Sequence, residues 1–247
     1  MNELYKLTIE SAELELAVTE GFVDKAKSTV SKIIEKLKAF IRKFIVFIKD
    51  KCTKFIKFVE KMASKLAHLT EMDDKRMIDV PYCISIDASS KVLVKIDKKV
   101  KGVIAELERD ADVNEDNLNY SEERYVIENT LLRESKKITV AEAKKEIKTI
   151  LSYIHNRNDN IAFTITGLSN DILKLEKSVT NSNTQFMNKK IAVIQKLIAI
   201  ERYILSYNNK TLEKCLILVK KIGNKKIKDE VETSKKIQDR VTKPVLN

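Results

Sequence analysis

Turn-forming residues are so scarce in this chain that long helices are the main structure open to it. Four glycines and two prolines occur among 247 residues, and Pro81 and Pro244 lie outside the periodic segments. Sheets and hairpins need such residues at short intervals. Lysine, glutamate and leucine favour helix, and 43% of the residues are hydrophobic, which is enough for a core. The composition therefore predicts an all-α protein.

Charge and periodicity divide the chain into five segments. We predict an acidic leader, a basic amphipathic helix, a linker, a helical bundle and a charged tail, at residues 1–20, 21–69, 70–87, 88–223 and 224–247. Clustered acids and Pro81 mark the linker as a boundary, because both interrupt the apolar period. The fold class expected is a long-helix bundle that contains an antiparallel helical hairpin and a long basic N-terminal helix.

The N-terminal helix is predicted from apolar residues that recur at steps of three and four between Val23 and Leu69. Residues 22–69 carry thirteen basic residues against four acidic ones. Three interpretations stay open: packing in the bundle with solvated lysines, binding to an anionic membrane surface, and nonspecific contact with a phosphate backbone. The residues expected at an anionic surface are Lys36, Lys38, Arg42, Lys43, Lys49, Lys51, Lys54 and Lys57.

The antiparallel hairpin is predicted at about 140–222. Thr139 and Glu142 fit a capping box at its start. The apolar residues that follow keep a heptad spacing, and Asn158 interrupts them as a polar residue of the kind that sets helix register. The polar residues Asn208 and Asn209 predict a break in the returning helix.

Shorter elements are predicted on either side of the hairpin. Gly223 is expected to end the returning helix as a C-cap. Asp87 is expected as the N-cap of a helix that follows the linker, and a short helix is expected at about 121–136.

No catalytic, cofactor or metal motif is recognisable, so we expect no enzyme activity, no cofactor and no small-molecule substrate. His68 and His155 have no second ligand at metal-binding spacing. Neither a glycine-rich phosphate loop nor a nucleophile motif occurs. The cysteines Cys52, Cys83 and Cys215 are odd in number and far apart, which predicts reduced, mostly buried thiols.

The partners expected are a protein or a second copy bound through helices, with nonspecific DNA or an anionic membrane surface as further options. Lysine outnumbers arginine strongly, and arginine is the residue that reads bases, so base-specific recognition is not expected. The acidic N-terminus does not predict a secretory signal, and no apolar stretch is long enough for a transmembrane span.

The junction between leader and basic helix is Val18-Thr19-Glu20 followed by Gly21. An acidic leader that ends in this way resembles the N-termini of internal head proteins of large tailed bacteriophages. In that family a short N-terminal peptide directs the protein into the prohead, and a maturation protease cuts after the glutamate of a hydrophobic-x-Glu motif. Carried over, Glu20 precedes the cut, Gly21 follows it, and Val18 stands where the family usually has isoleucine or leucine.

The resemblance implies a virion protein that is packaged with DNA and in some cases ejected into the host. On this interpretation the protein is non-enzymatic, lies in the virion interior or the host cytoplasm, and acts through its basic helix on DNA, membrane or a protein. The alternative is a helical interaction module or coiled-coil oligomer that acts on a host protein through the predicted hairpin.

Overall fold

The computed structural model describes residues 27–69, 71–109, 115–178 and 184–241, and this part of the chain is largely helical. The first half contains α1 (Lys27–Val46), a π-helical turn (Phe47–Cys52), α2 (Thr53–Ser64), a 3-10 turn (Lys65–His68), α3 (Glu71–Asp74), β1 (Met77–Pro81), a 3-10 turn (Tyr82–Ile84) and α4 (Ile86–Glu108). The second half contains a 3-10 turn (Glu115–Leu118), α5 (Ser121–Val126), a π-helical turn (Ile127–Leu131), β2 (Ser135–Thr139), α6 (Val140–Ser178) and α7 (Thr184–Val241). The predicted all-α class is confirmed.

The helices α6 and α7 form the predicted antiparallel hairpin. Ser178 Oγ, at the end of α6, lies 3.9 Å from Met187 Sδ near the start of α7. Farther from the loop, Asn208 Nδ2 of α7 donates a 2.8 Å hydrogen bond to Asn158 Oδ1 of α6. Both asparagines are buried, so Asn158 does connect the two helices at one register, as its position in the heptad predicted.

The segment from α1 to α2 packs on this hairpin, antiparallel to α6 and parallel to α7. Lys38 of α1 bonds Glu176 at the far end of α6. Asn209 Nδ2 of α7 lies 3.9 Å from Cys52 Sγ. Farther toward the C-terminal ends of both segments, Gly223 lies next to Leu66. The apolar face of the basic helix is therefore part of the main core.

The helix α4 lies against the other side of the hairpin. Its Asp97 bonds Arg157 of α6, and its Ser89 Oγ lies 2.7 Å from the Tyr207 hydroxyl of α7. Four long helical segments thus surround one hydrophobic core.

A π-helical turn joins α1 to α2, and the sequence gives a reason for it. Apolar residues at Phe40, Phe44, Ile48, Cys52 and Ile56 are spaced by four throughout, and all are buried. On a regular α-helix each step of four rotates the stripe by about 40°. The π-helical turn holds more residues than an α-helical turn, so it offsets this rotation and keeps the stripe toward the core.

A two-stranded antiparallel sheet corrects two predictions. β1 lies inside the predicted linker at 70–87, and it pairs with β2 from Met77 opposite Thr139 to Pro81 opposite Ser135. The predicted helix at 121–136 accordingly ends before β2. Ile78 and Val80 are buried while Met77 and Asp79 are exposed, a period of two that is typical of a strand. This segment is therefore part of the core, and it does not act as a linker.

The start of α6 has the predicted capping box. The Thr139 backbone N–H donates to Glu142 Oε2 at 2.9 Å, and the Glu142 N–H donates to Thr139 Oγ1 at 3.2 Å. The start of α4 differs from its prediction, because Ser85 is the N-cap and Asp87 lies in the first turn. The Ser85 hydroxyl accepts a bond from Lys136, and Asp87 is placed to interact with the positive end of the helix dipole.

The helix α7 runs without the two interruptions that were predicted. Asn208 is buried, and its Nδ2 donates a hydrogen bond to Asn158 Oδ1 inside the core, so the helix continues through it. Gly223 does not end the helix, which continues to Val241. A C-cap glycine needs a left-handed backbone, whereas Gly223 lies within the helix close to Leu66.

Candidate functional site

The candidate site is the solvent-facing side of α1, the first π-helical turn and α2. Between residues 30 and 69, eleven basic residues stand against three acidic ones. We define the basic face as the predicted contact residues that are exposed there: Lys36, Arg42, Lys43, Lys49, Lys51, Lys54 and Lys57. Because helical periodicity separates them from the buried stripe, they form a long positive surface over the core.

Lys38 does not belong to the basic face, which corrects its assignment to the contact set. Its side chain is 14% exposed, and its ammonium donates to Glu35 at 3.0 Å and to the carboxylate of Glu176 at 3.1 Å. These carboxylates raise the pKa of Lys38. Lys38 therefore connects α1 to the end of α6 and is already neutralised by its neighbours.

The aromatic residues of this segment lie mainly on the opposite side from the basic face. Phe40 and Phe44 are buried, with ring centroids 5.8 Å apart, and Phe47 and Phe55 are half-buried. Phe58 is the exposed one among these, at 48%. The apolar side of this segment therefore packs in the bundle, as one of the three interpretations expects. The lysines of the basic face are exposed to solvent.

The predicted cleavage junction, Val18, Glu20 and Gly21, lies outside the residues that the structure describes. The acidic leader, residues 1–20, also lies outside them.

The cysteines are buried thiols rather than reactive groups. Cys52, Cys83 and Cys215 are all unbonded to one another and buried. Burial raises the pKa of Cys52 to about 12 and that of Cys83 to about 11. A thiol needs a lowered pKa to act as a nucleophile near neutral pH, so these two are unsuited to covalent catalysis.

No group of three or more His, Cys, Asp or Glu residues in the part of the chain that the structure describes is arranged to hold a metal ion. His155 Nε2 instead lies 3.8 Å from Asp159 Oδ2 on the surface of α6. None of the helices within the described ranges is long and apolar enough to cross a membrane.

The sequence does not reveal a polar cluster formed by the half-buried Asp97 and the buried Arg157 and Glu201. Its one signal was Glu201, which stands in the heptad of α7 where an apolar residue is expected. The partners of Glu201 lie on two other helices, and no spacing in the sequence relates them.

No protein-family model, curated protein or solved structure matches this chain.

Proposed function

We propose that this protein is a non-enzymatic nucleic-acid-binding protein whose basic face contacts DNA phosphates without reading the sequence. The observation that carries the proposal is the exposure of the basic face over a fully packed core. Lysine charge suffices to neutralise phosphates and release counterions. Arg42 is the single arginine on that face, and bidentate base recognition relies mainly on arginine.

Packing of the apolar half supports DNA over a membrane surface. An interfacial helix must bury its apolar side at the acyl boundary. Here Ile34, Ile41 and Phe44 are fully buried against the rest of the bundle, so insertion would require α1 to leave the core. Contact with phosphates needs no such rearrangement.

The DNA proposal is tested by reversing three charges of the basic face. Lys49→Glu, Lys54→Glu and Lys57→Glu together should weaken binding to a random-sequence duplex at least about tenfold, because each lysine neutralises a phosphate. The slope of log K against log salt should become shallower by about three, close to 0.9 per contact. Fluorescence anisotropy across about 50–200 mM salt measures both quantities.

A matched control distinguishes the effect of the basic face from the effect of the protein's net charge. Lys91→Glu, Lys95→Glu and Lys98→Glu remove the same charge from exposed positions on α4. This variant should keep most of the affinity and the slope. Equal losses in both variants would mean that net charge alone drives binding, and no binding by the unmodified protein would reject the proposal.

We also propose the packaged-virion role that the leader's resemblance implies, since a DNA-binding surface suits a protein enclosed with DNA. N-terminal sequencing of the protein from purified virions should then begin at Gly21. Material that retains Met1 would contradict cleavage after Glu20. This result would not affect the DNA proposal, which the charge-reversal variants test.

A further inference from the structure

A cleft of about 550 Å³ lies between α4 and α6, and Glu201 of α7 also lines it. Its volume falls in the range of roughly 300–1,000 Å³ that is usual for small-molecule sites. Gly167 on α6 lines the cleft, and a Cβ at this position would meet nothing within 4 Å. The space above the glycine is therefore open.

One end of the cleft holds an ion pair and a carboxyl group without a hydrogen bond. Arg157 Nη1 and Nη2 donate to the two oxygens of Asp97, at 2.5 and 2.6 Å. Glu201 is 4% exposed, and no described residue hydrogen-bonds its carboxyl group. Because Glu201 lines the cleft, its carboxyl is suited to a ligand that supplies a hydrogen-bond donor there.

The other end of the cleft is also acidic. Glu108 and Asp171 line it there, and Lys174 pairs with Asp171 at 2.9 Å. Eleven residues of α4 separate Asp97 from Glu108, which corresponds to about 16 Å along the helix. After the ion pairs are taken into account, Glu201 and Glu108 are the carboxyls left at the two ends, and the exposed Lys101 is the remaining cation of the lining.

Apolar side chains line the cleft between these ends. They come from both helices, and Phe163 stands at the rim with 82% of its surface exposed: Val100, Ile104, Ile161, Phe163 and Leu168. A hydrocarbon segment between two positive groups would match this order of acidic, apolar and acidic surface.

We propose that the cleft binds a linear aliphatic polyamine. One ammonium group donates to the Glu201 carboxylate, the methylene chain lies on the apolar wall, and a second ammonium group reaches Glu108. A cation is favoured over an anion because four carboxylate residues line the cleft against two basic ones. Both Nη atoms of Arg157 are already held by Asp97, and its buried Nε is the guanidinium nitrogen that has no partner among the described residues. Selection of such a ligand by a protein of net charge +11 would require a local acidic site, since the overall field repels cations.

The first test fills the cleft without disturbing the fold. Gly167→Leu places a side chain in the open space and a better helix former in α6. Calorimetric titration of the full chain with spermine should show one site per chain, and Gly167→Leu should weaken it at least tenfold. Gly102→Leu is the matched control: a Cβ there also meets nothing within 4 Å, but Gly102 does not line the cleft.

The second test examines the carboxyl of Glu201. Glu201 has a pKa raised to about 7 by burial, against the opposing effect of Arg157. An ammonium group favours the ionised form, so binding at pH 7 should release up to about half a proton. Titrations in two buffers of different ionisation enthalpy measure this release, and Glu201→Gln should abolish it and weaken binding at least tenfold.

Two comparison ligands test which charge and which length the cleft selects. Putrescine, which is shorter, should bind more weakly than spermine because it reaches one end of the cleft only. No binding of spermine, equal weakening in both glycine variants, or preferential binding of a dicarboxylate of similar length would each overturn the proposal.

Discussion

Replacement of Phe44 by alanine is expected to lower the free energy of unfolding by about 4 kcal/mol. Phe44 is fully buried where α1 packs on the hairpin, and its ring stands beside that of Phe40. The substitution removes the transfer energy of the ring and leaves a cavity that the surrounding helices fill only in part. Urea unfolding followed by circular dichroism measures the change from the shift in midpoint at constant m-value.

Phe163→Ala is the control for this substitution, because the Phe163 side chain is 82% exposed. Its effect should stay within about 0.5 kcal/mol, as for most surface substitutions. If Phe44→Ala cost less than about 1 kcal/mol, α1 would not be held in the core in solution. The membrane-surface interpretation of the basic helix would then regain support, since its apolar face would be available for insertion.

Asn158 and Asn208 are expected to show strong coupling in a double-mutant cycle. Either Asn158→Leu or Asn208→Leu alone should cost about 2 kcal/mol, since the remaining asparagine loses its one hydrogen bond inside the core. Asn158 Nδ2 and Asn208 Oδ1 already have no partner in the described structure. The double substitution removes both polar groups, so it should cost much less than the two single substitutions together.

Urea unfolding of the four proteins gives the coupling energy, which we expect at about 2 kcal/mol or more. Additive losses would show that the 2.8 Å bond contributes little in solution. The same variants test register, because a hairpin without the asparagine pair loses the group that specifies which turns of α6 and α7 meet. A loss of sharp amide dispersion in the NMR spectrum of the double variant would reveal such slippage.

Several structural features could be predicted because they depend on neighbouring residues only. The capping box at Thr139 and Glu142 is local, and it was recognisable from residue types three apart. By contrast, the pairing of β1 with β2 joins residues 77–81 to residues 135–139, and no pattern in either segment predicts that it pairs with the other. The continuity of α7 through Asn208 was missed for a similar reason, because its partner Asn158 lies fifty residues away.

The candidate sites also differ in how much of each could be predicted from the sequence. Lysine positions on the basic face follow from the helical period, yet Lys38 was assigned to it wrongly because Glu176 lies on another helix. The cleft depends on α4, α6 and α7 meeting at Asp97, Arg157 and Glu201. Only Glu201 gave any sign of it in the sequence, as a charged residue in an apolar heptad position.

The helical class and the positive charge of the first long helix follow from the amino-acid sequence. Both are sums over local properties: few turn-forming residues, apolar residues at helical spacing, and an excess of lysine. The tertiary structure alone decided that the apolar face of this helix is covered and its basic face is exposed. That outcome depends on which helices pack together, and packing is a property of contacts between residues far apart in the chain.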